Sequence, residues 1–459
     1  MPAGSGLGGM SASARPGWAP GDAAAGAEPR LSTPWSFKLL TVFLLLLYAN
    51  LPLVFPQVAA LAPAQAVAIG ALALLFVERA VARRPFTLSW PESHLLLAFL
   101  GVVALSSFTS LWPAHALEES LLLVRYVAVY VLIVNTTESW LRLRILFAAM
   151  VVGGMFPALG SFHYARQGVM VEGNRAGWVG IFSNPNDLAY SLVLLFPLAL
   201  ALVLGTRGWR RLLPLGAAAL FALAIFMTYS RGGLLGFATV VLLAFLLWSP
   251  PVARLPGLVV GAAALAFAVT SFWDRDEGFG DLMGDATMNQ RLATMKAGLA
   301  MFADNPLLGV GPGCSVIGWP LYRPPNLYTE RWLHSHNTVI QVLSETGLLG
   351  AVPFFLLLGV ALWRAHGRAR EWRRAGHPNR SRMVSALAIS LWGLAACSAS
   401  GGHMLSWFPY LILGLVSAAL LLPGPGAEEA ADEDPRDPEM EAGRRAARPP
   451  YAPAAGAWR

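Results

Sequence analysis

Residues 188–204 read LAYSLVLLFPLALALVL, seventeen positions without a charged side chain. At 1.5 Å per residue such a run, with a few flanking residues, crosses the roughly 30 Å of hydrocarbon in a bilayer. Just before it stands Ser183-Asn184-Pro185-Asn186-Asp187, and just after it come Arg207, Arg210 and Arg211. The residue types before the run fit an N-cap Asn184, Pro185 at the first helical position and Asp187 in the first turn. Capping by itself accounts for that run. The arginines after it have the look of a cytoplasmic flank.

The pattern repeats along the chain. Apolar candidates lie at about 39–56, 58–77, 95–112, 120–134, 145–165, 188–204, 212–229, 232–248, 257–273, 348–363, 383–399 and 404–422. The fourth is the shortest and carries Arg125, which can snorkel from near a helix end. The expectation is an all-α polytopic membrane protein with about 12 transmembrane helices. Composition agrees: 56% of the 459 residues are hydrophobic and 13% charged, with a mean hydropathy of +0.55, which a soluble globule of this size could not hide. The net charge of +7 does not mark a nucleic-acid surface, because the arginines fall in short tracts between apolar runs. Cys314 and Cys397 are too few for a disulfide framework and lack metal-ligand spacing.

With the N-terminus inside, the even-numbered connections carry sixteen arginines and the short odd-numbered ones only Arg166, Arg175 and Arg231. The positive-inside rule then puts both termini in the cytoplasm. The 36 residues before the first apolar run are long and weakly basic for a signal peptide, so that run is expected to be retained. Residues 1–35 and 423–459, rich in Ala, Pro and Gly or in mixed charge blocks, are expected to be disordered tails around a membrane domain at 36–422.

One connection differs. Residues 274–345, between the ninth and tenth runs, hold eight acidic and five basic residues and are expected to form a structured periplasmic loop where chemistry would sit. Within it, Met288, Leu292, Met295, Leu299 and Phe302 follow helical spacing and predict an amphipathic helix that lays this stripe on the bundle or the headgroup layer. The helix should stop at Asn305-Pro306 and the glycine run Gly309-Val310-Gly311-Pro312-Gly313. Arg291, at the stripe's edge, could turn inward to an anion or merely snorkel.

Next come His334, His336 and Asn337, then Gln341, Ser344 and Glu345 at helical spacing. They predict a polar helix face lining a cleft at the outer membrane boundary, although a helix start capped by His and Asn would read the same way. A histidine is the side chain best suited to accept a proton near neutral pH. Arg231, in an outer turn beside Gly232 and Gly233, is an anion-binding candidate, with glycines that permit close approach of a ligand. Its plainer reading is contact with lipid headgroups.

Taken together, Asn184-Pro185-Asn186-Asp187-Leu188-Ala189, Ser230-Arg231-Gly232-Gly233, Asn305 through Gly313 and His336-Asn337 resemble the O-antigen ligase and Wzy-type polysaccharide polymerase superfamily. The most specific element is a His followed by Asn, nine residues, then Gly-x-x-Gly, met here by His336, Asn337, Gly347 and Gly350. The resemblance spans about residues 35–422. It implies a bacterial inner-membrane glycosyltransferase that moves a glycan from undecaprenyl diphosphate to an acceptor hydroxyl, with no cofactor, nucleotide sugar or catalytic metal. On its pattern His336 is the catalytic residue, and Arg231 and Arg291 hold the diphosphate. Asn337, His334, Gln341, Glu345, Asn184 and Asp187 are supporting candidates.

The partners so implied are the lipid-linked glycan, a lipid A-core or growing-glycan acceptor and membrane lipids. The loop size and the His-Asn motif favour a ligase acting on lipid A-core. A polymerase of O-antigen or exopolysaccharide repeats is the alternative. A glycan transporter would place ionisable residues at mid-membrane, whereas the candidates here gather at outer helix ends, and no internal repeat is visible.

Overall fold

The structure, a computed structural model, describes residues 33–55, 57, 61–272, 286–325 and 332–425. Apart from residues 33–35 and 423–425, the tails expected to be disordered lie outside the described residues, as does part of the loop at 274–345. Fifteen helices follow in chain order: α1 (Trp35–Ala49), α2 (Leu51–Val54), α3 (Pro63–Val81), α4 (Glu92–Phe108), α5 (Pro113–Thr136), α6 (Trp140–Arg166), α7 (Pro185–Gly205), α8 (Leu212–Met227), α9 (Arg231–Trp248), α10 (Pro251–Phe272), α11 (Ala286–Asp304), α12 (Ser315–Tyr322), α13 (Thr338–Arg374), α14 (Pro378–Cys397) and α15 (Trp407–Leu421). Among the described residues there is no strand, and the β-type pairing is an isolated bridge, Val171 with Arg175.

Among the described residues, six helical stretches are long and apolar enough to cross a membrane: α3, α6, α7, Gly208–Met227, α9 and α13. Three more, α1, α4 and α15, are apolar but shorter. This is a multi-pass membrane protein, with apolar surface turned outward where lipid is the solvent, as at Phe76, Val81 and Phe108. The fourth apolar run is not short. It lies in the 24-residue α5, whose first turns add His115, Glu118 and Glu119 to the apolar stretch.

The stretch at 188–204 is the centre of the bundle. α7 packs against α6, α8, α9 and α14, and its side chains from Leu188 to Ala199 are all buried. Asn184 caps it, its side-chain oxygen accepting from the Asn186 amide at 2.9 Å, and Pro185 occupies the first turn. Pro197 sits inside the helix and removes one rung of its ladder. One turn earlier the Ser390 hydroxyl of α14 donates to the Leu194 carbonyl at 2.7 Å, the kind of side-chain support that lets membrane helices carry proline.

α4 and α13 run antiparallel, tied at both ends. At one end the Arg364 guanidinium meets the fully buried Glu92 carboxylate at 2.6 Å. At the other, the Ser106 hydroxyl donates to the Leu308 and Glu345 carbonyls at 2.6 and 3.0 Å. α13 is broken at Gly347, which takes φ 62° and ψ −164°, a region open in practice only to glycine. The groups released by the break find partners in the glycine run. The Val310 and Gly311 amides donate to the Ser344 and Glu345 carbonyls, and the Leu348 and Leu349 amides donate to Pro306 and Leu307. Gly309, Gly311 and Gly313 all have positive φ, which this pairing requires.

The amphipathic helix is present as α11 and ends at the expected Asn305-Pro306, and of the two seats expected for its stripe the bundle is not the one taken. Ala293, Thr294, Ala297, Gly298 and Met301 are buried, while Leu292 and Leu299 of the expected stripe are 40% and 47% exposed. The reason is close packing: Gly298 lies against Ile340 of α13, and a methyl there would overlap it. Small residues let α11 approach the bundle, and the larger apolar ones face out.

Candidate functional site

Five segments meet at the end of the bundle where α7, α9 and α13 begin. The α13 start is anchored first. Asn337 caps it by accepting from the Ile340 amide at 3.1 Å, and the Thr338 amide donates to the Ser398 carbonyl at 3.0 Å. The Thr338 hydroxyl donates to the Gly401 carbonyl at 2.8 Å and accepts from the His403 amide at 3.0 Å. The Gln341 side-chain oxygen accepts from the Met404 amide at 3.2 Å. The connection between α14 and α15, residues 398–404, is thereby sewn to the residues just after His336.

That connection also reaches α7 and α9. The Tyr190 and Ser400 hydroxyls are 2.9 Å apart. Gly232 is packed so closely on Ser400 and Tyr190 that any Cβ would overlap the Ser400 hydroxyl, and Gly233 is packed likewise on Ala189. Gly232 and Gly233 therefore serve helix approach, and the expectation that they admit a ligand is corrected. Arg231 does not lie in a free turn either. It is the first residue of α9, behind the N-cap Ser230, whose hydroxyl oxygen accepts from the Gly233 amide at 3.1 Å.

The α7 start is held by Asn186. Its side-chain oxygen accepts from the Ser230 hydroxyl at 2.7 Å and from the Arg175 guanidinium at 2.8 Å. Arg175 is buried, and donates further to the Thr228 carbonyl at 2.9 Å and the Glu172 carboxylate at 2.5 Å. Asn184 is exposed and acts as a cap, while Asp187 stands within electrostatic reach of Tyr190.

His336 is half-buried two residues before α13. Burial foremost, then the Arg291 charge, then His334, lowers its pKa from 6.5 to about 4. Arg291 lies within electrostatic reach of both His336 and Tyr190, and its Nε is buried without a hydrogen-bond partner. Arg291 shares the inward side of α11 with Thr294, Gly298 and Met301, so it does turn inward. Tyr190 is the residue that both arginine-bearing segments approach. His334 is exposed at the rim.

Two expected members are placed otherwise. Ser344 and Glu345 line no cleft: both are fully buried, because the Gly347 break draws the glycine run onto them. The Glu345 carboxylate accepts from the Gly313 amide at 2.9 Å and the Ser315 hydroxyl at 2.5 Å. It locks the loop, and the Gln341 side-chain amide reaches it at 3.5 Å. Asn337 and Gln341 are likewise positioning residues.

The sequence reading passed over Tyr190 and His403. His403 is 2% exposed, stacks edge-on against Tyr190 with ring centroids 5.1 Å apart, and its Nε2 has no hydrogen-bond partner. Burial lowers its pKa from 6.5 to about 4. The one signal for it was a histidine after two glycines, Gly401-Gly402-His403, at an outer helix end.

The fold and this cluster define a class: a multi-pass helical membrane protein with a histidine and an arginine within electrostatic reach of each other at the end of the bundle where a helix headed by a second arginine begins. Residues 216–355 match the family model described as O-antigen ligase. The match runs from α8 into α13 and takes in Arg231, Arg291, the glycine run, His336 and Gly347 but not Asn184 through Ala189, so it supports the resemblance to the O-antigen ligase and Wzy superfamily on most of the residues that carry it. No curated protein matches the chain.

Proposed function

We propose that the protein transfers a glycan from undecaprenyl diphosphate to an acceptor hydroxyl at the outer face of the inner membrane, as an O-antigen ligase whose acceptor is lipid A-core. The observation that carries the reading is Arg291 within electrostatic reach of a half-buried His336, in a stretch that matches the O-antigen ligase family. In this reading Arg231 and Arg291 hold the diphosphate leaving group, and their guanidinium forks stay charged throughout. His336, neutral at cellular pH, takes the proton of the acceptor hydroxyl as it attacks the anomeric carbon. Asn337 and Gln341 fix the segment that carries His336. The site end of the bundle faces the periplasm and both termini the cytoplasm, through twelve spans; a reporter at Gly313 active only in the cytoplasm would refute this orientation.

A deletion strain, with its surface glycan resolved on gels, tests the function. Core lipid without long chains, together with accumulated full-length lipid-linked polymer, is the expected result. Cores carrying single repeat units would instead mark a polymerase, and unchanged surface glycan would refute both.

Each arginine's bonds to the diphosphate should contribute about 1.5 to 3 kcal/mol, or roughly 10- to 150-fold. Arg231→Ala and Arg291→Ala proteins are expected to lose transfer by about that factor, and the Lys variants to recover part of it, because ammonium lacks the bidentate fork. Wild-type rates from inserted Ala variants would refute the diphosphate assignment.

The pH profile gives a separate check. A base with a lowered pKa is in its working neutral form above that pKa, so activity falls as pH drops through it. The acid limb of kcat/KM is expected near pH 4, and that of kcat higher, because bound diphosphate offsets the Arg291 charge. Arg291→Ala should move the kcat/KM limb upward. A wild-type limb at 6.5 or above, unmoved in that variant, would contradict the role of His336.

A further inference from the structure

At the other end of α7 from Tyr190, a groove of about 300 Å³ opens between α6, α7 and α8. Its walls are apolar, among them Ala148, Val152, Leu202 and Leu213. Its polar lining is confined to one end: Arg144 in the first turn of α6, Thr206 directly after α7, and Arg210 in the turn before α8. The Arg144 guanidinium is held there by a bond to the Thr206 hydroxyl at 2.9 Å. Trp209, 78% exposed beside Arg210, is the residue type that anchors a helix end at the headgroup layer. From Arg144 the groove follows α6 to Val152, about 12 Å at 1.5 Å per residue.

The positive-inside rule accounts for the sign of these residues but not for two of them converging on one apolar groove. We propose that this groove binds one anionic phospholipid, its phosphate between Arg144 and Arg210 and an acyl chain laid between α6, α7 and α8. The occupant follows from the surroundings. Leu141, Ile145 and Leu213 are exposed on the outer surface of the bundle, where lipid is the neighbour, and a zwitterionic headgroup brings its own cation beside its phosphate, so it offsets the two like charges less than a net-anionic one does. The inference is independent of the glycan chemistry, since it concerns the opposite end of the bundle.

The test is native mass spectrometry of the purified full chain with added phosphatidylglycerol or phosphatidylcholine of the same acyl chains. Wild-type protein is expected to retain phosphatidylglycerol in preference by about 10- to 30-fold, on the scale set by two arginines at a headgroup. Arg144→Ala/Arg210→Ala should abolish the preference, and Ala148→Trp, which fills the groove with both arginines in place, should weaken binding. Arg83→Ala/Arg84→Ala, at other arginines on the membrane boundary, should leave it intact. No preference in the wild type, or a preference that survives the Arg144/Arg210 pair, overturns the proposal. Undiminished binding by Ala148→Trp overturns the groove as its seat. Should the double variant not fold, the wild type alone decides: dodecyl phosphate should displace phosphatidylglycerol, and inorganic phosphate at the same concentration should not.

Discussion

His336→Ala protein is expected to turn over lipid diphosphate donor about 10² to 10⁴ times more slowly than wild type, the usual cost of removing a general base. The same change at His334 should cost much less. The structure gives the two histidines different positions. His336 is half-buried, beside Arg291, and its chain is clamped immediately downstream by the Asn337 cap and the Thr338 bonds to residues 398–404. His334 is exposed and reaches His336 only through its charge. Purified, monodisperse variants assayed side by side decide the matter. Near-normal turnover without the His336 imidazole removes it from the chemistry, and equal large losses remove the distinction.

Gly347→Ala should be the most damaging single-methyl addition in α13. Its φ of 62° is strained for any L residue, and the new Cβ would overlap the Leu307 backbone, which cannot move without parting the glycine run from Ser344 and Glu345. A loss of about 3 kcal/mol or more in stability is expected, from backbone strain together with the broken pairing. Gly359 in the same helix has nothing within 4 Å of an added Cβ, so Gly359→Ala should be neutral or gain up to about 1 kcal/mol from helix propensity. Thermal unfolding in detergent compares them. A Gly347→Ala protein that melts with wild type would show that the break does not depend on this residue.

Much of the fold was legible because membrane helices announce themselves locally. The cap at Asn184-Pro185, the stop at Asn305-Pro306 and the start after His336-Asn337 each need only neighbours in sequence. What could not be read was which distant segments pair. The glycine run reads as a stop signal, yet its amides answer carbonyls released by Gly347, some 35 residues on, and that exchange buries Glu345. The stripe on α11 left open which face meets the bundle, and Gly298 and its alanines settle it by making the closer contact. Tyr190 and His403 belong to the site only through contacts more than two hundred residues apart, between the α7 start and the 398–404 connection.

The stitching of Thr338 and Gln341 to residues 398–404 has a bearing on biogenesis. Translation delivers Tyr190, Arg231, Arg291 and His336 before this connection. Until it has left the ribosome and been inserted with α14 and α15, the His336 segment lacks the partners that fix it. A nascent chain is thus inserted before the His336 segment is fixed, and the segment becomes fixed only once this later connection arrives.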